Sequence, residues 1–144
     1  MVYVDTSVIV AMLTNEPKTQ ACIDWFSNLK QTPLSSDWLI TEFNSAIAIK
    51  QRTNQLSTKD IKPILQQFNA LLNGGIKLMP ISRDAFSEAG KLIHKHTNTR
   101  AGDALHLSVA IECAAKQFVT LDMAQATSAK QLGFEVLAMH TSSI

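Results

Sequence analysis

The sequence predicts a three-layer α/β/α sandwich around a central, mainly parallel five-stranded sheet, formed by one domain over residues 1–144. Short β-branched or aromatic runs alternate with longer amphipathic stretches along the chain, without a repeat, linker or low-complexity segment. Strands and helices that alternate in this way are joined by crossovers, which makes the strands parallel. The length of 144 residues and the hydrophobic fraction of 46% are enough for one buried core.

The composition narrows the class of protein. The formal net charge is +1, from 13 basic and 12 acidic side chains, so the chain lacks the strongly basic balance of many nucleic-acid-binding domains. A local basic patch remains compatible with that balance. Cys22 and Cys113 lie far apart, and we expect core thiols in a reducing compartment rather than a zinc site. We find no signal peptide and no uncharged run of ~20 residues, so we expect a cytoplasmic protein with no membrane contact.

The first strand ends in an acid. Val2–Val4 reads as a buried strand, and the apolar run Val8–Leu13 as a helix that Thr6 or Ser7 can cap. Asp5 then lies at the carboxyl end of the strand, where open α/β sheets bind ligands. The alternative is that Asp5 only caps the helix or forms a turn.

The second helical unit carries another acid on an apolar face. We predict a helix over 17–31 with Asp24 in solvent, a short strand at Leu34-Ser35, and a long helix to about Asn54. Glu42 lies within about 60° of the apolar positions of this helix: Trp38, Leu39, Ala46 and Ile49. Glu42 is therefore expected to face the core side. The alternative is that it lies at the edge of the apolar face, where it snorkels toward solvent or pairs with Arg52.

The middle of the chain predicts a third strand and two further helices. A helix capped at Ser57 runs to Leu72, a strand covers 76–81, and a helix capped at Ser82 runs to about His96. The next helix begins near Asp103, which shares its face with Leu107, Ala110 and Ala114, while Ser108 and Glu112 lie opposite. His106 flanks this face, as a hydrogen-bonded structural residue in preference to a substrate contact.

The last unit repeats the strand-then-acid pattern. A fourth strand over 118–121 ends at Asp122, a short helix covers 124–132, and a fifth strand covers 134–139. Residues 140–144 are expected to fray.

Four acids are therefore not predicted to be ordinary surface residues: Asp5, Glu42, Asp103 and Asp122. In a parallel sheet with right-handed crossovers their positions converge on one edge, where the carboxylates repel one another. A divalent cation relieves that repulsion, and oxygen ligands without cysteine or paired histidine suit Mg²⁺ or Mn²⁺. Such an ion can activate a water molecule for attack on a phosphodiester. No side chain has the setting of a dedicated nucleophile.

Together these residues resemble those of PIN-domain ribonucleases. The matching features are Asp5-Thr6-Ser7 after the first strand, Glu42 in its helix, the stretch Arg100-Ala101-Gly102-Asp103-Ala104-Leu105-His106-Leu107, and Thr120-Leu121-Asp122. The resemblance covers essentially the whole chain, and its small format is similar to the VapC toxins of bacterial toxin–antitoxin pairs. It implies a metal-dependent endoribonuclease that cuts structured RNA, often tRNA or ribosomal RNA. It also implies a homodimer and a small antitoxin whose C-terminal segment blocks the acidic site.

The resemblance assigns the four acids to the catalytic metal site, with Asp5, Asp103 and Asp122 as metal ligands. Ser7 or Thr120 would assist at the substrate. No further acid follows Asp122, so the occupancy of a second metal position stays open. We expect basic side chains at the rim to bind RNA phosphates. Arg100 is the first choice, and the other candidates are Lys50, Arg52, Lys91 and Lys95.

Three alternative functions share part of this pattern. A haloacid-dehalogenase-like phosphatase needs a second aspartate two residues after the first, where this chain has Ser7. A phosphoacceptor receiver needs an acid pair near the first strand and a lysine after the last, and no lysine follows Lys130. A catalytically inactive PIN-like module that binds RNA or protein stays open, although the intact acids argue against it.

Overall fold

The computed structural model describes residues 1–96 and 98–139. Within them, five strands form one sheet in the order β3-β2-β1-β4-β5, and every neighbouring pair is parallel. The expected fraying of residues 140–144 lies outside the described residues. The strands are β1 Val2–Val4, β2 Leu34–Ser36, β3 Lys77–Met79, β4 Gln117–Thr120 and β5 Glu135–Ala138.

Helices cover both faces of this sheet. Side chains alternate along each strand, so apolar side chains point to both faces and are buried on both. In β1, Val2 and Val4 are buried against the first four helices. Tyr3 is buried on the opposite face, against the last three. The predicted three-layer α/β/α sandwich is therefore confirmed. The helices of the described residues are α1 Thr6–Leu13, α2 Thr19–Ser27, α3 Trp38–Arg52, α4 Thr58–Leu72, α5 Arg83–Lys95, α6 Ala101–Glu112 and α7 Met123–Gln131. No helix of the described residues is long and apolar enough to cross a membrane.

The strand order reverses beside β1. The chain moves outward from β1 to β2 and β3, then returns to place β4 on the other side of β1. Val4 pairs with Val119, and the next backbone N–H, that of Asp5, donates to the Val119 carbonyl at 3.1 Å. The carboxyl ends of β1 and β4 thus open together, and ligands bind at such reversal points in α/β sheets.

Two local predictions are wrong. The helix predicted over 17–31 is confined to Thr19–Ser27. Ser108 was expected to face solvent, but every residue from Ala104 to Ala110 is buried, because α6 lies between the sheet and α5. The Ser108 hydroxyl donates to the Ala85 carbonyl of α5 at 2.6 Å, which satisfies this buried polar group.

Candidate active site

The four singled-out acids line one cavity at the open edge between β1 and β4. Asp5 follows β1, Asp122 follows β4, Glu42 projects from α3, and Asp103 lies in the first turn of α6. The cavity has a volume of about 440 Å³. The predicted convergence of these residues is a feature of the structure. The other lining residues are Thr6, Ser7, Val10, Glu16, Ala46, Lys50 and Leu121.

Asp5 is the most deeply placed acid, with 3% of its surface exposed. It caps α1 by accepting the backbone N–H of Ser7 at 3.1 Å, so both readings of this residue hold: it is a helix cap and it lines the cavity. Oδ1 also accepts the Ser7 hydroxyl, and Oδ2 accepts the Thr120 hydroxyl, both at 2.5 Å. Burial raises the pKa of Asp5, and these hydrogen bonds oppose that rise.

The Ser7 and Thr120 hydroxyls tie Asp5 to the turn after β4. The Ser7 hydroxyl also accepts the Leu121 N–H at 3.0 Å, and the Thr120 hydroxyl accepts the Asp122 N–H at 3.0 Å. Thr120 has no exposed surface, so the expectation that it contacts substrate needs correction. Its hydroxyl orients Asp5 instead. Ser7 does line the cavity, and a substrate contact from Ser7 remains a proposal.

Glu42 is held by a buried histidine. His106 Nε2 lies 2.8 Å from Glu42 Oε1 and 3.0 Å from the Thr6 hydroxyl, and His106 Nδ1 lies 2.7 Å from the Tyr3 hydroxyl. Burial raises the pKa of Tyr3, so its hydroxyl keeps its proton and can donate to Nδ1. His106 can then donate from Nε2 to Glu42. Burial alone would raise the pKa of Glu42, but the hydrogen bond from His106 helps to bring it below its ordinary value.

These contacts identify His106 as a hydrogen-bonded structural residue, as the sequence predicted. Its side chain is 1% exposed, too little for direct contact with a substrate. The alternative pairing of Glu42 with Arg52 is not observed, because Glu42 Oε1 is bound to His106. The other oxygen of Glu42 lies against the backbone of Gly102, beside the indole nitrogen of Trp38.

Asp103 and Asp122 have contrasting environments. The pKa of Asp103 is raised to about 6, first by burial and then by the negative charges of Asp122, Asp5 and Glu42. Asp122 was expected to resist exposure, but it is exposed, and its Oδ1 caps α7 by accepting the N–H groups of Ala124 and Gln125 at 2.8 and 3.2 Å. A residue between a strand and a helix is well placed for such a cap. It nevertheless lines the cavity.

The donor set fits a divalent cation, although the side chains are not gathered around a single point. Among residues 1–96 and 98–139, no three aspartate, glutamate, histidine or cysteine side chains are close enough together to hold one ion. All four acids are nevertheless oxygen donors in one cavity, and their mutual repulsion adds to burial in raising the pKa of Asp103. A hard cation such as Mg²⁺ or Mn²⁺ would relieve that repulsion.

The basic candidates are separated by the structure. Lys50 lines the cavity and makes an ion pair with Glu16, whereas Arg52, two residues later, is exposed and does not line it. Arg100, the first choice from sequence, is exposed at the start of α6 and is not among the lining residues either. Glu16 was missed in the sequence, since nothing in its local pattern indicates a partner in α3.

Comparison with solved structures supports the same fold. VapC20 of Mycobacterium tuberculosis, a toxin that cleaves the sarcin–ricin loop, aligns with a TM-score of 0.74 at 12% identity, over 93% of this chain and 96% of the other. FitAB bound to an IR36 DNA fragment aligns with a TM-score of 0.71 at 16% identity, over 100% and 99% of the two chains. FitAcB from Neisseria gonorrhoeae aligns with a TM-score of 0.71 at 17% identity, over 99% and 100%.

Comparison with curated proteins gives no match. Residues 2–131 match the PIN domain family, which is most of the chain. The match includes Asp5, Glu42, Asp103 and Asp122 and the whole of the strand reversal between β1 and β4. The chain therefore belongs to the PIN domain family.

Proposed function

We propose that this protein is a metal-dependent endoribonuclease toxin that hydrolyses RNA phosphodiester bonds. The observation that carries the proposal is the convergence of Asp5, Glu42, Asp103 and Asp122 on one cavity at the strand reversal. Membership of the PIN domain family and the shared fold with VapC20, a toxin that cleaves the sarcin–ricin loop, support it. We propose ribosomal RNA or tRNA as the substrate class.

The proposed metal ligands are Asp5, Asp103 and Asp122, with Glu42 as the fourth catalytic carboxylate. When bound, Mg²⁺ or Mn²⁺ supplies Lewis-acid activation of water and neutralises charge on the phosphodiester. The Ser7 and Thr120 hydroxyls fix the orientation of Asp5 by donating to its two oxygens.

The remaining residues of the site orient Glu42 or form the walls of the cavity. His106 binds Oε1 of Glu42, so this carboxylate keeps one orientation. The apolar side chains of Val10, Ala46 and Leu121 form part of the cavity wall beside the acids.

We also propose the partners that accompany this function in VapC-like toxins. A small cognate antitoxin would cover the acidic cavity, and the protein would act in the cytoplasm as a homodimer. The structures that share this fold include FitAB bound to DNA and FitAcB, which supports a toxin–antitoxin context for the proposal. Arg100, exposed at the start of α6, remains our proposal for a contact with an RNA phosphate outside the cavity.

The test is cleavage of total cellular RNA by the purified protein, freed of any bound partner, in Mg²⁺, Mn²⁺ or EDTA. We expect discrete fragments in the metal buffers, and none in EDTA or with Asp5→Asn or Asp103→Asn. Asp24→Asn is the matched control, because Asp24 is an exposed acid of α2 outside the cavity.

Cleavage retained by Asp5→Asn and Asp103→Asn would contradict the assignment of the acids. An absence of cleavage by the wild-type protein in every buffer would contradict the enzyme and favour the PIN-like binding module. Hydrolysis of small phosphomonoesters in place of RNA would favour the phosphatase.

A further inference from the structure

The cavity continues beyond the four acids to an ion pair between Lys50 and Glu16. Among the described residues that line it, Lys50 is the single cation, and five residues are acids. The Lys50 side chain is only 17% exposed, and its Nζ lies 3.5 Å from Glu16 Oε2. A largely buried lysine inside an acidic cavity differs from an ordinary surface lysine, whose ammonium group is surrounded by water.

Glu16 is fixed by the loop that joins α1 to α2. Its Oε2 accepts the Thr14 hydroxyl at 3.0 Å, and its backbone N–H donates to the Thr19 hydroxyl at 2.8 Å. The Thr19 hydroxyl in turn donates to the carbonyls of Ala11 and Thr14 at 2.7 and 2.9 Å. Glu16 is therefore held in place by the loop, and its carboxylate in turn holds the Lys50 ammonium group.

The spacing along α3 sets the distance between the two ends. Glu42, Ala46 and Lys50 follow one another at intervals of four residues and share one face of the helix. The Cα atoms of Glu42 and Lys50 are therefore about 12 Å apart along the axis, at 1.5 Å per residue. A helical side chain leans toward the N-terminus, so the lysine stem extends from its own turn back toward the acids.

The cavity also has apolar lining residues. These are Val10, Ala46 and Leu121, and Ala46 lies between Glu42 and Lys50 on α3. A nucleotide has matching chemistry, since its sugar and base offer apolar surface and the phosphates on either side carry negative charge. Lys50 would bind the second phosphate through its positive charge.

We propose that Lys50 and these apolar residues form a subsite for the nucleotide next to the scissile bond. Lys50 binds the phosphate adjacent to the one held at the acids, Val10, Ala46 and Leu121 contact the intervening nucleoside, and Glu16 positions Lys50. This inference rests on the proposed ribonuclease function and gives it a requirement for two consecutive phosphates.

The test is steady-state cleavage of a synthetic RNA oligonucleotide that spans the bond mapped with the wild-type protein. We expect Lys50→Ala and Lys50→Met to raise KM about tenfold with kcat within twofold, and Lys50→Arg to stay near wild type. The dependence of log KM on log salt should decrease by about 0.7, because one contact with a single-stranded phosphate is lost. Lys50→Met retains an apolar stem, which separates the lost charge from lost packing.

Two further variants sharpen the result. Lys62→Ala is the control, because Lys62 is an exposed cation of α4 that does not line the cavity, and we expect its KM and salt dependence to equal those of wild type. Glu16→Gln should change KM in the wild-type background and have no effect in Lys50→Ala, because Glu16 acts through Lys50.

The outcomes separate this inference from the function on which it rests. Unchanged KM and salt dependence in Lys50→Ala, or an equal loss in Lys62→Ala, would overturn the subsite while metal-dependent cleavage by the wild-type protein still stood. Failure of the wild-type protein to cleave RNA would overturn both proposals.

Discussion

Gly102, in the first turn of α6, has no room for a methyl group, and Gly102→Ala is therefore a direct probe of the site. A Cβ at this position would lie 2.6 Å from Trp38 Nε1 and 2.8 Å from Glu42 Oε2. Ordinary van der Waals contact starts at 3.4 Å, so the carboxylate must move by about 0.6 Å and the indole by about 0.8 Å. The glutamate can rotate, whereas the indole is packed beside Ala104 and Leu105.

Two effects on stability oppose each other. Alanine in place of glycine in a helix stabilises a protein by about 0.5–1 kcal/mol. Overpacking destabilises by about 1–3 kcal/mol, so we expect Gly102→Ala to lower the free energy of unfolding by up to about 2 kcal/mol. Because Glu42 Oε2 is displaced, we expect cleavage to fall by about 10- to 100-fold, since a misplacement near 1 Å can cost about 100-fold.

Gly90→Ala is the matched control, because a Cβ at this position inside α5 meets nothing within 4 Å. We expect Gly90→Ala to stabilise the protein by about 0.5–1 kcal/mol without changing cleavage. Urea unfolding and RNA cleavage measured on both variants test the reasoning. If Gly102→Ala were as stable as Gly90→Ala and as active as wild type, Glu42 would not lie against Gly102.

Three further predictions concern the acids and their partners. Thr120→Val removes a donor to buried Asp5, so we expect a loss of about 1–3 kcal/mol in urea unfolding; an unchanged midpoint would contradict the orienting hydrogen bond. His106→Leu leaves Glu42 without its donor, so we expect lower kcat at unchanged KM in steady-state cleavage, and His106→Gln should restore part of the loss; if neither variant altered kcat, His106 would have no part in positioning Glu42. The raised pKa of Asp103, about 6 against an ordinary 3.8, means that its ionisation destabilises the metal-free protein as pH rises through 6. We therefore expect Asp103→Asn to raise Tm at pH 7.5, with a gain that shrinks as pH falls from 6 toward 4, and a gain independent of pH would contradict this cause.

The sequence was sufficient to predict the sheet and the position of the acids because both follow from local patterns. The apolar runs that form β1 and β4 end at Asp5 and Asp122, and consecutive apolar residues suit strands that are buried on both faces. Helical periodicity brought Glu42 to the correct side of α3. The parallel topology then gathers these residues, since the carboxyl ends of parallel strands share one edge.

The partners of the acids could not be predicted, because they are distant in sequence. Glu42 and His106 are 64 residues apart, and Thr120 is 115 residues from Asp5. Ser108 was predicted to lie opposite the buried face, and this prediction failed for the same reason. One helix considered alone shows a polar residue opposite its apolar face, and only the packing of α5 on that face buries it.

The proposed role of Lys50 could be distinguished from that of the other basic residues only in the structure. Several basic residues were equivalent candidates in the sequence, and the cavity distinguishes Lys50 from Arg52, which is two positions away on the same helix. A shift of two residues rotates a side chain by about 200° around a helix, so neighbouring cations face different surroundings.

Titration of the metal-free protein with Mn²⁺ by calorimetry measures directly whether the proposed ligands Asp5, Asp103 and Asp122 hold a divalent cation. We expect saturable binding by the wild-type protein and by Asp24→Asn, and strongly weakened binding by Asp5→Asn and Asp103→Asn. Equal Mn²⁺ affinity in all four proteins, or no binding by the wild-type protein, would contradict the proposed metal site.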